Sequence, residues 1–451
     1  MSLQKNEIYE AEITAYSSEG TGIARIEGMA VFVPNTARGD VLRVRIVKVL
    51  KNYAFGRVEQ LVAPSPHRTD AGCAVYPLCG GCATRHLEYD EELYMKRQKV
   101  EDALRRIGGF DVALPPVVPS PQVTRYRNKA QFPLGRQNGR TVFGFYRGRS
   151  HDVIATDDCP IQDARAVAVC RAVCDWADEF GVSVYDEETR NGILRHVYAR
   201  CADNGVLLTV VAAKPRLPYV DELVARARSA CAELTGVVLN VNDEATNRVL
   251  GDRCITLWGE GRLADTLCGT PFSLSPLSFY QVNKRQTEAL YEQALAYAAL
   301  DGQSTVLDLY CGIGTITLLL AQQAGTAVGC EIVPEAIDDA QANAARAGVE
   351  NARFLCGDAG ETAAQLLAEG LRPEVVVCDP PRKGLDAQAI DAILRLAPQR
   401  VVYVSCDCAT LARDCALLRE GGYTLSAARA FDMFPRTAHV ETVVLMSRVK
   451  D

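Results

Sequence analysis

Long hydrophobic runs are missing from this 451-residue chain. No uncharged apolar stretch approaches the roughly 18 residues that span a bilayer, so no contact with a membrane is expected. The opening MSLQKNEIYE lacks the apolar segment of a secretory leader. Net positive charge is missing too: 49 Lys and Arg face 56 Asp and Glu, a formal charge of −7. The global field therefore repels polyanions, and any nucleic-acid contact has to use a local basic surface. Internal repeats and low-complexity tracts are absent, which sets aside solenoids and disordered arrays. Cysteine is the residue in surplus. Seventeen of them, an odd number at no regular interval, argue against a secreted disulfide framework. They favour reduced thiols, metal ligands or a catalytic thiol in a cytoplasmic protein. A hydrophobic share of 48% with 23% charged residues fits a globular chain, long enough for two to four domains.

Residues 6 to about 60 alternate apolar and polar positions between glycine and Asn/Pro turns. That period predicts a small antiparallel barrel of about five strands. APSPHR (63–68) reads as a linker, CAVYPLCGGCATRH as a cysteine patch, and YDEELYMKRQKVEDALRRIGGF as a helix with an apolar stripe and a basic face. From Pro115 to about residue 270, strand-like TVFGFYRG and GVLLTVVAA mix with helical ARAVAVCRAVCDWADEF. This is a mixed α+β region whose topology the pattern leaves open. Beyond about residue 275, STVLDLY, AVGCEI, ARFLCGD, EVVVCD and VVYVSC alternate with helical runs. Short apolar strands in that rhythm predict a doubly wound α/β sheet with helices on both faces. Three domains are expected, 1–62, 63–274 and 275–451, the helix near 91–108 being a candidate to pack on the third.

DLYCGIGT (Asp308–Thr315) is a strand end, a Gly-x-Gly turn and a helix start. Glycines there let the backbone approach a ligand lying across the carboxyl edge of the sheet. The dinucleotide fingerprint is incomplete, and no P-loop lysine follows, which disfavours phosphate binding. Glu331 closes the next strand about twenty residues on, where a carboxylate can accept both ribose hydroxyls of a nucleoside. Asp379 ends another strand, ahead of Pro380 and Pro381. Their fixed, extended backbone suits holding a flat group in one pose.

Residues 308–315, 331 and 379–381 together resemble the S-adenosylmethionine-dependent methyltransferases of the doubly wound, Rossmann-like class. Ser405-Cys406-Asp407-Cys408, FPRTAHVE (434–441) and FYQVN (279–283) narrow the resemblance to the RNA (uracil-5-)-methyltransferase family. It covers nearly the whole chain, because the barrel resembles a TRAM module (an RNA-binding domain with an oligonucleotide-binding-like fold) and the cysteine patch belongs with it to the ribosomal-RNA branch. The resemblance implies methylation of carbon-5 of uridine in large-subunit ribosomal RNA. Cys406 would be the nucleophile at carbon-6 and Glu441 the base; Gln281, Tyr310, Gly312, Glu331 and Asp379 would contact S-adenosylmethionine. The chemistry needs such a thiol. Carbon-5 of uracil is a poor nucleophile until a thiolate added at carbon-6 turns the ring into an enolate. The target base would be flipped out of its stack to reach the pocket. Glu441, inside an otherwise apolar strand, is expected to hold its proton more tightly than usual, as suits a general base. A free thiol near a pKa of about 8.5 has to be activated. Cys408 stands where family members often carry proline; it is read as packing, as are Cys311, Cys330 and Cys378.

Cys73, Cys79 and Cys82 form C-x5-C-x2-C around Gly80 and Gly81, and Cys159, followed by proline, is the best fourth ligand. A four-thiolate zinc site is the competing possibility, although a second C-x2-C knuckle is absent. The resemblance implies a [4Fe–4S] cluster here, as a staple or an RNA-contacting element. The run RYRNKAQFPLGRQNGRTVFGFYRGR (125–149) interleaves basic residues with Tyr126, Phe132, Phe143, Phe145 and Tyr146. Such a mixture suits single-stranded RNA, with Arg125, Tyr126, Arg127, Lys129, Phe145 and Arg147 as candidate contacts and the basic helix face 96–106 as an addition. A monomer is expected. The rivals are a transfer-RNA uracil-5-methyltransferase, a branch expected to lack the barrel and the cluster cysteines; a 5-methylcytidine enzyme, which would lack FPRTAHVE; and a non-catalytic RNA-binding protein of the same fold.

Overall fold

The structure is a computed structural model that describes residues 3–148, 150, 152–245 and 248–449; Arg149, in the basic run, lies outside them. Strands Ile8–Tyr16, Gly22–Ile26, Met29–Val33, Tyr53–Ala63 and Val41–Val49 close, in that spatial order, into a barrel. Alternation does the work. Leu42, Val44 and Ile46 point inward with no exposure, while Arg43 and Val47 between and beyond them face out. Gly56 is needed inside, since a Cβ there would lie 2.3 Å from Val44 Cγ1.

The central region is a seven-stranded sheet in the order Arg253–Gly259, Leu234–Val241, Gly205–Ala212, Leu194–Ala202, Lys129–Gln137, Arg140–Tyr146, Val153–Ala155. One pair, 205–212 with 234–241, is parallel and the rest antiparallel. Helix Ala164–Glu179 covers one face with Val169, Val173 and Trp176. Ala202, Leu207 and Val238 on the other face join the core of the third region, so strands 194–202, 205–212 and 234–241 are buried on both faces.

The third region carries the expected sheet, ordered Ala352–Cys356, Thr326–Glu331, Thr305–Leu309, Val375–Cys378, Arg400–Ser405, Glu441–Arg448, Tyr423–Phe431. The first five strands are parallel, and 441–448 runs antiparallel between its neighbours. Alternate side chains sort to two cores: Leu307, Leu309, Val376, Val401 and Tyr403 to one, Val306, Val375, Val377, Val402 and Val404 to the other. Each fully buried aliphatic contributes roughly 1.5–3 kcal/mol. The chain leaves strand 305–309 toward one edge and returns beside it at 375–378. A crevice opens at the carboxyl ends of strands where the order reverses. Helix Tyr89–Arg106, far earlier in sequence, lends Val100, Ala103 and Leu104 to the core under helix Cys408–Glu420. No helix among the described residues is long and apolar enough to cross a membrane.

Candidate active site

A cavity of about 620 Å³ occupies that crevice, and Gln281, Tyr310, Gly312, Glu331, Asp379, Cys406 and Glu441 all line it. Residues scattered over 161 positions of sequence thus meet in one space, because the parallel strands end there and the antiparallel strand begins there, while Gln281 comes from the loop ahead of helix Lys284–Ala298.

Cys406 is the first residue beyond strand Arg400–Ser405. Asp407 caps the following helix, accepting from the Ala409 and Thr410 N–H groups at 3.0 Å each, which fixes the turn that presents the thiol. Strand Glu441–Arg448 pairs with 400–405 in a register that sets Thr442 opposite Ser405. The next residues along, Cys406 and Glu441, line the same cavity, and the charge of Glu441 acts on the Cys406 thiol. Burial, then the charges of Glu441 and Asp379, push the Cys406 thiol up to about 11, against the Arg382 cation. Burial first, then Asp379, pushes Glu441 up to about 8. Its Oε2 is buried without a hydrogen-bond partner among the described residues. Desolvation also lifts Asp379 to about 7. Burial and the neighbouring carboxyls thus favour bound protons, with the Arg382 cation acting against them.

On the other side of the crevice, Tyr310 leaves strand Thr305–Leu309 at φ +67°, an αL conformation rare for a bulky residue. Gly312 follows at φ +54° with open space where a Cβ would stand. Glu331 Oε2 accepts from the Gly312 N–H at 3.2 Å, and its Oε1 accepts from Ile332 and Val333 N–H at 2.8 and 3.0 Å. One carboxylate therefore clamps two strand-end loops around the same gap. Beneath the turn Asp308, held at about 7 chiefly by burial, accepts from Thr317 Oγ1 at 2.6 Å.

Comparison with known proteins places this geometry. Residues 272–449 match the family described as tRNA (Uracil-5-)-methyltransferase, and residues 3–58 match the TRAM domain. An RNA methyltransferase of Clostridium tetani is 41% identical over 451 residues, covering 100% of this chain and 98% of that protein. One from Halalkalibacterium halodurans is 44% identical over 447 residues, covering 98% of each. The chain belongs to the RNA (uracil-5-)-methyltransferase family. As a member it is an RNA methyltransferase. Among solved structures, the Pyrococcus abyssi tRNA (uracil-54, C5)-methyltransferase in complex with S-adenosyl-L-homocysteine superposes with a TM-score of 0.78. It is 27% identical, over 97% of this chain and 99% of that one. A transfer-RNA enzyme therefore aligns along nearly the whole length of this chain, and the barrel does not separate the two RNA targets as expected.

Phe279, Arg382, Lys383, Phe434 and His439 also line the cavity of this methyltransferase. They escaped the sequence reading although all lie in or beside the quoted motifs, because spacing shows where a strand ends and not which neighbour turns inward. Cys408 is buried at the helix start, its thiol 3.8 Å from Lys99 O. Cys311, Cys330 and Cys378 are buried likewise.

The four cysteines 73, 79, 82 and 159 line one small cavity, with Phe145, Ile154 and Arg85 among its other walls. All four are unpaired, half-buried thiols. No group of three or more His, Cys, Asp or Glu among the described residues is close enough to hold a metal ion, so the thiols face one space without converging on a point.

The basic run needs correction. Tyr126 is 4% exposed and its hydroxyl donates to Pro435 O at 2.9 Å; Phe132 and Phe143 are core residues. Those rings are not open to a base. Phe145 is half-buried against Phe132, centroids 5.0 Å apart. Arg125 pairs with Asp158 at 2.6 Å, Arg127 is half-buried, and Arg147 is exposed. Lys129, half-buried, is pushed down to about 8 by burial and by Arg200 and Arg127. The basic helix face is corrected as well. Lys96 has no exposure, its Nζ donating to Glu92 at 2.7 Å, Asp432 at 2.5 Å and Phe434 O at 3.1 Å; Arg97 and Arg106 pair with Glu101 and Asp102.

Proposed function

We propose that this enzyme methylates carbon-5 of uridine in RNA, using S-adenosylmethionine, with Cys406 as nucleophile and Glu441 as base. The observation that carries the reading is the meeting of Cys406 and Glu441, one step beyond a paired strand register, in the same cavity as the Gly312–Glu331 clamp. Bound S-adenosylmethionine supplies an electrophilic methyl group and a positive sulfonium, which acts on the neighbouring thiol and carboxyls in the same direction as Arg382. Gly312, Glu331, Tyr310, Asp379 and Gln281, which line the cavity, would hold its nucleoside and amino-acid ends.

Cys406 sulfur bonds to carbon-6 of the flipped-out ring as its thiol proton passes to water, and the electrons of the 5,6 double bond move toward carbon-5 and the ring carbonyl. Carbon-5 would then take the methyl group as the methyl–sulfur bond of S-adenosylmethionine breaks, leaving S-adenosylhomocysteine. Glu441 then removes the proton from carbon-5, the double bond re-forms, and the sulfur departs. A buried carboxyl with one unpartnered oxygen, and an affinity for protons raised to about 8, suits that last role. The decisive experiment is an adduct assay with 5-fluorouridine RNA, in which fluorine blocks proton removal. A denaturation-resistant complex requiring S-adenosylmethionine and absent in Cys406→Ala is expected. No complex with wild type would leave a non-catalytic RNA-binding protein as the better reading.

The RNA is taken to be the large ribosomal subunit's, on the resemblance of the barrel together with the cysteine patch. Transfer RNA is the second reading, favoured by the end-to-end likeness to the Pyrococcus abyssi enzyme. Mapping 5-methyluridine in both RNAs from a strain lacking the gene decides between them. Loss confined to transfer RNA would overturn the first.

Cys73, Cys79, Cys82 and Cys159 would hold a [4Fe–4S] cluster. The family resemblance carries this proposal: the four free thiols share one cavity without converging as they stand, and nothing in methyl transfer requires the cluster's electrons. Protein purified without oxygen should be brown and contain iron and acid-labile sulfide. Colourless protein with stoichiometric zinc would refute the cluster.

A further inference from the structure

Between strands Tyr423–Phe431 and Glu441–Arg448 the chain runs through residues 432–440 without helix or strand. Phe434, His439 and Glu441 reach the cavity from this stretch and its end. Backbone carbonyls that form no ladder still need donors when they are buried. Here the donors come from outside the sheet that begins at residue 305. Asn283 Nδ2 donates to Met433 O at 3.1 Å, the Tyr126 hydroxyl to Pro435 O at 2.9 Å, and Lys99 Nζ to Ala438 O at 3.0 Å. The Ala83 and Thr84 N–H groups both donate to Arg436 O, at 3.0 and 3.2 Å.

The shape of the stretch is set where these bonds fall. Pro435 has a φ locked by its ring. Arg436 stands at φ +71°, a left-handed conformation that a non-glycine residue keeps only where its surroundings impose it. Tyr126 is firmly seated beside them. It is 4% exposed, and the N–H groups of its neighbours Arg125 and Arg127 donate to Pro160 O at 2.8 Å and Ile161 O at 3.0 Å. Neither Tyr126 nor Lys99 is among the residues lining the catalytic cavity. Both therefore act on the cavity only through the backbone they hold. A base misplaced by about 1 Å can lose up to roughly 10²-fold in rate.

We propose that Tyr126 and Lys99 are positioning residues for Glu441: by fixing the Pro435 and Ala438 carbonyls they set where the carboxylate stands when the carbon-5 proton has to leave. This role rests on the carbon-5 chemistry proposed above. For Tyr126 it takes the place of the base contact that the sequence suggested.

The test is single-turnover release of the covalent complex by full-length enzyme, with transcripts of large-subunit ribosomal RNA and of transfer RNA as probes. Tyr126→Phe removes one hydroxyl, and Lys99→Met one ammonium from a half-buried side chain. In each variant the complex with uridine RNA should persist roughly tenfold longer, while affinity for RNA and the yield of 5-fluorouridine adduct stay as in wild type. Burial holds Glu441 at about 8, and a loosened stretch admits water, so the pH at which release levels off should fall below that value. Tyr423→Phe is the matched control. Its hydroxyl also donates to a proline carbonyl, Pro398 O, at 2.9 Å, and it is 2% exposed, away from the cavity. It should lower Tm about as much as Tyr126→Phe and leave release and its pH dependence unchanged. Release at the wild-type rate in Tyr126→Phe and Lys99→Met would overturn the proposal, as would equal slowing in Tyr423→Phe. If Tyr126→Phe does not fold, Lys99→Met decides by the same readings. Wild type that forms no 5-fluorouridine adduct would remove the proposed chemistry and this role with it, whereas a normal adduct with unaltered release in the variants would remove this role alone.

Discussion

Glu441 enters the cavity from a strand whose next three residues, Thr442, Val443 and Val444, are fully buried, and this dry setting lifts it to about 8. A base works in its deprotonated form. The kcat/KM for RNA should therefore rise with pH and level off above about 8, and Glu441→Gln should abolish the inflection. That variant should also accumulate the covalent RNA complex, with turnover down by roughly 10²–10⁴. Gel-shift under denaturing conditions checks both. Asp308, Asp379 and Glu441, at about 7, 7 and 8, all lie above their unfolded values. Their contribution to stability is then fully present below the unfolded pKa and lost as pH climbs through 7 to 8. The Tm of ligand-free enzyme should fall by several degrees between about pH 5 and pH 8.5, and less in Asp379→Asn. Calorimetry across that range tests the sign.

Segment 432–440, which delivers Phe434, His439 and then Glu441, is held by an element distant in sequence. Lys96 on helix Tyr89–Arg106 bonds Asp432 and Phe434 O, Tyr89 hydroxyl donates to Asp432 at 2.7 Å, and Arg436 N–H donates to Glu92 at 2.7 Å. Lys96→Met strands two buried carboxyls and should cost about 3–5 kcal/mol of unfolding free energy. Adding Glu92→Gln and Asp432→Asn should recover much of it, as read by urea denaturation. This element was the least legible in the sequence. A lysine in a helix of charged residues reads as solvent-facing, and only a partner 336 residues away shows otherwise. The parallel strands, by contrast, were visible as short apolar runs, because burial on both faces leaves no polar alternation to blur them. Residues 281, 310, 312, 331, 379, 406 and 441 were found through motifs, which mark strand ends. Arg382 and Phe434 were not, because inward direction is a tertiary property.

Across the molecule, the helix at 89–106 packs in the core of the sheet that begins at 305, and the central sheet packs against its opposite core. The piece 275–449 produced alone would leave Leu411, Cys408 and Leu418 uncovered on one side and Leu267-side residues such as Phe272 unmade on the other. It should bind a hydrophobic dye and aggregate, and supplying residues 89–106 should lessen both without abolishing them. The same arrangement orders events during synthesis. The early helix, with Val100 and Leu104 on its apolar side, emerges hundreds of residues before the surface that will receive it. That stripe therefore has no native partner to cover it until helix Cys408–Glu420, close to the end of the chain, has been made.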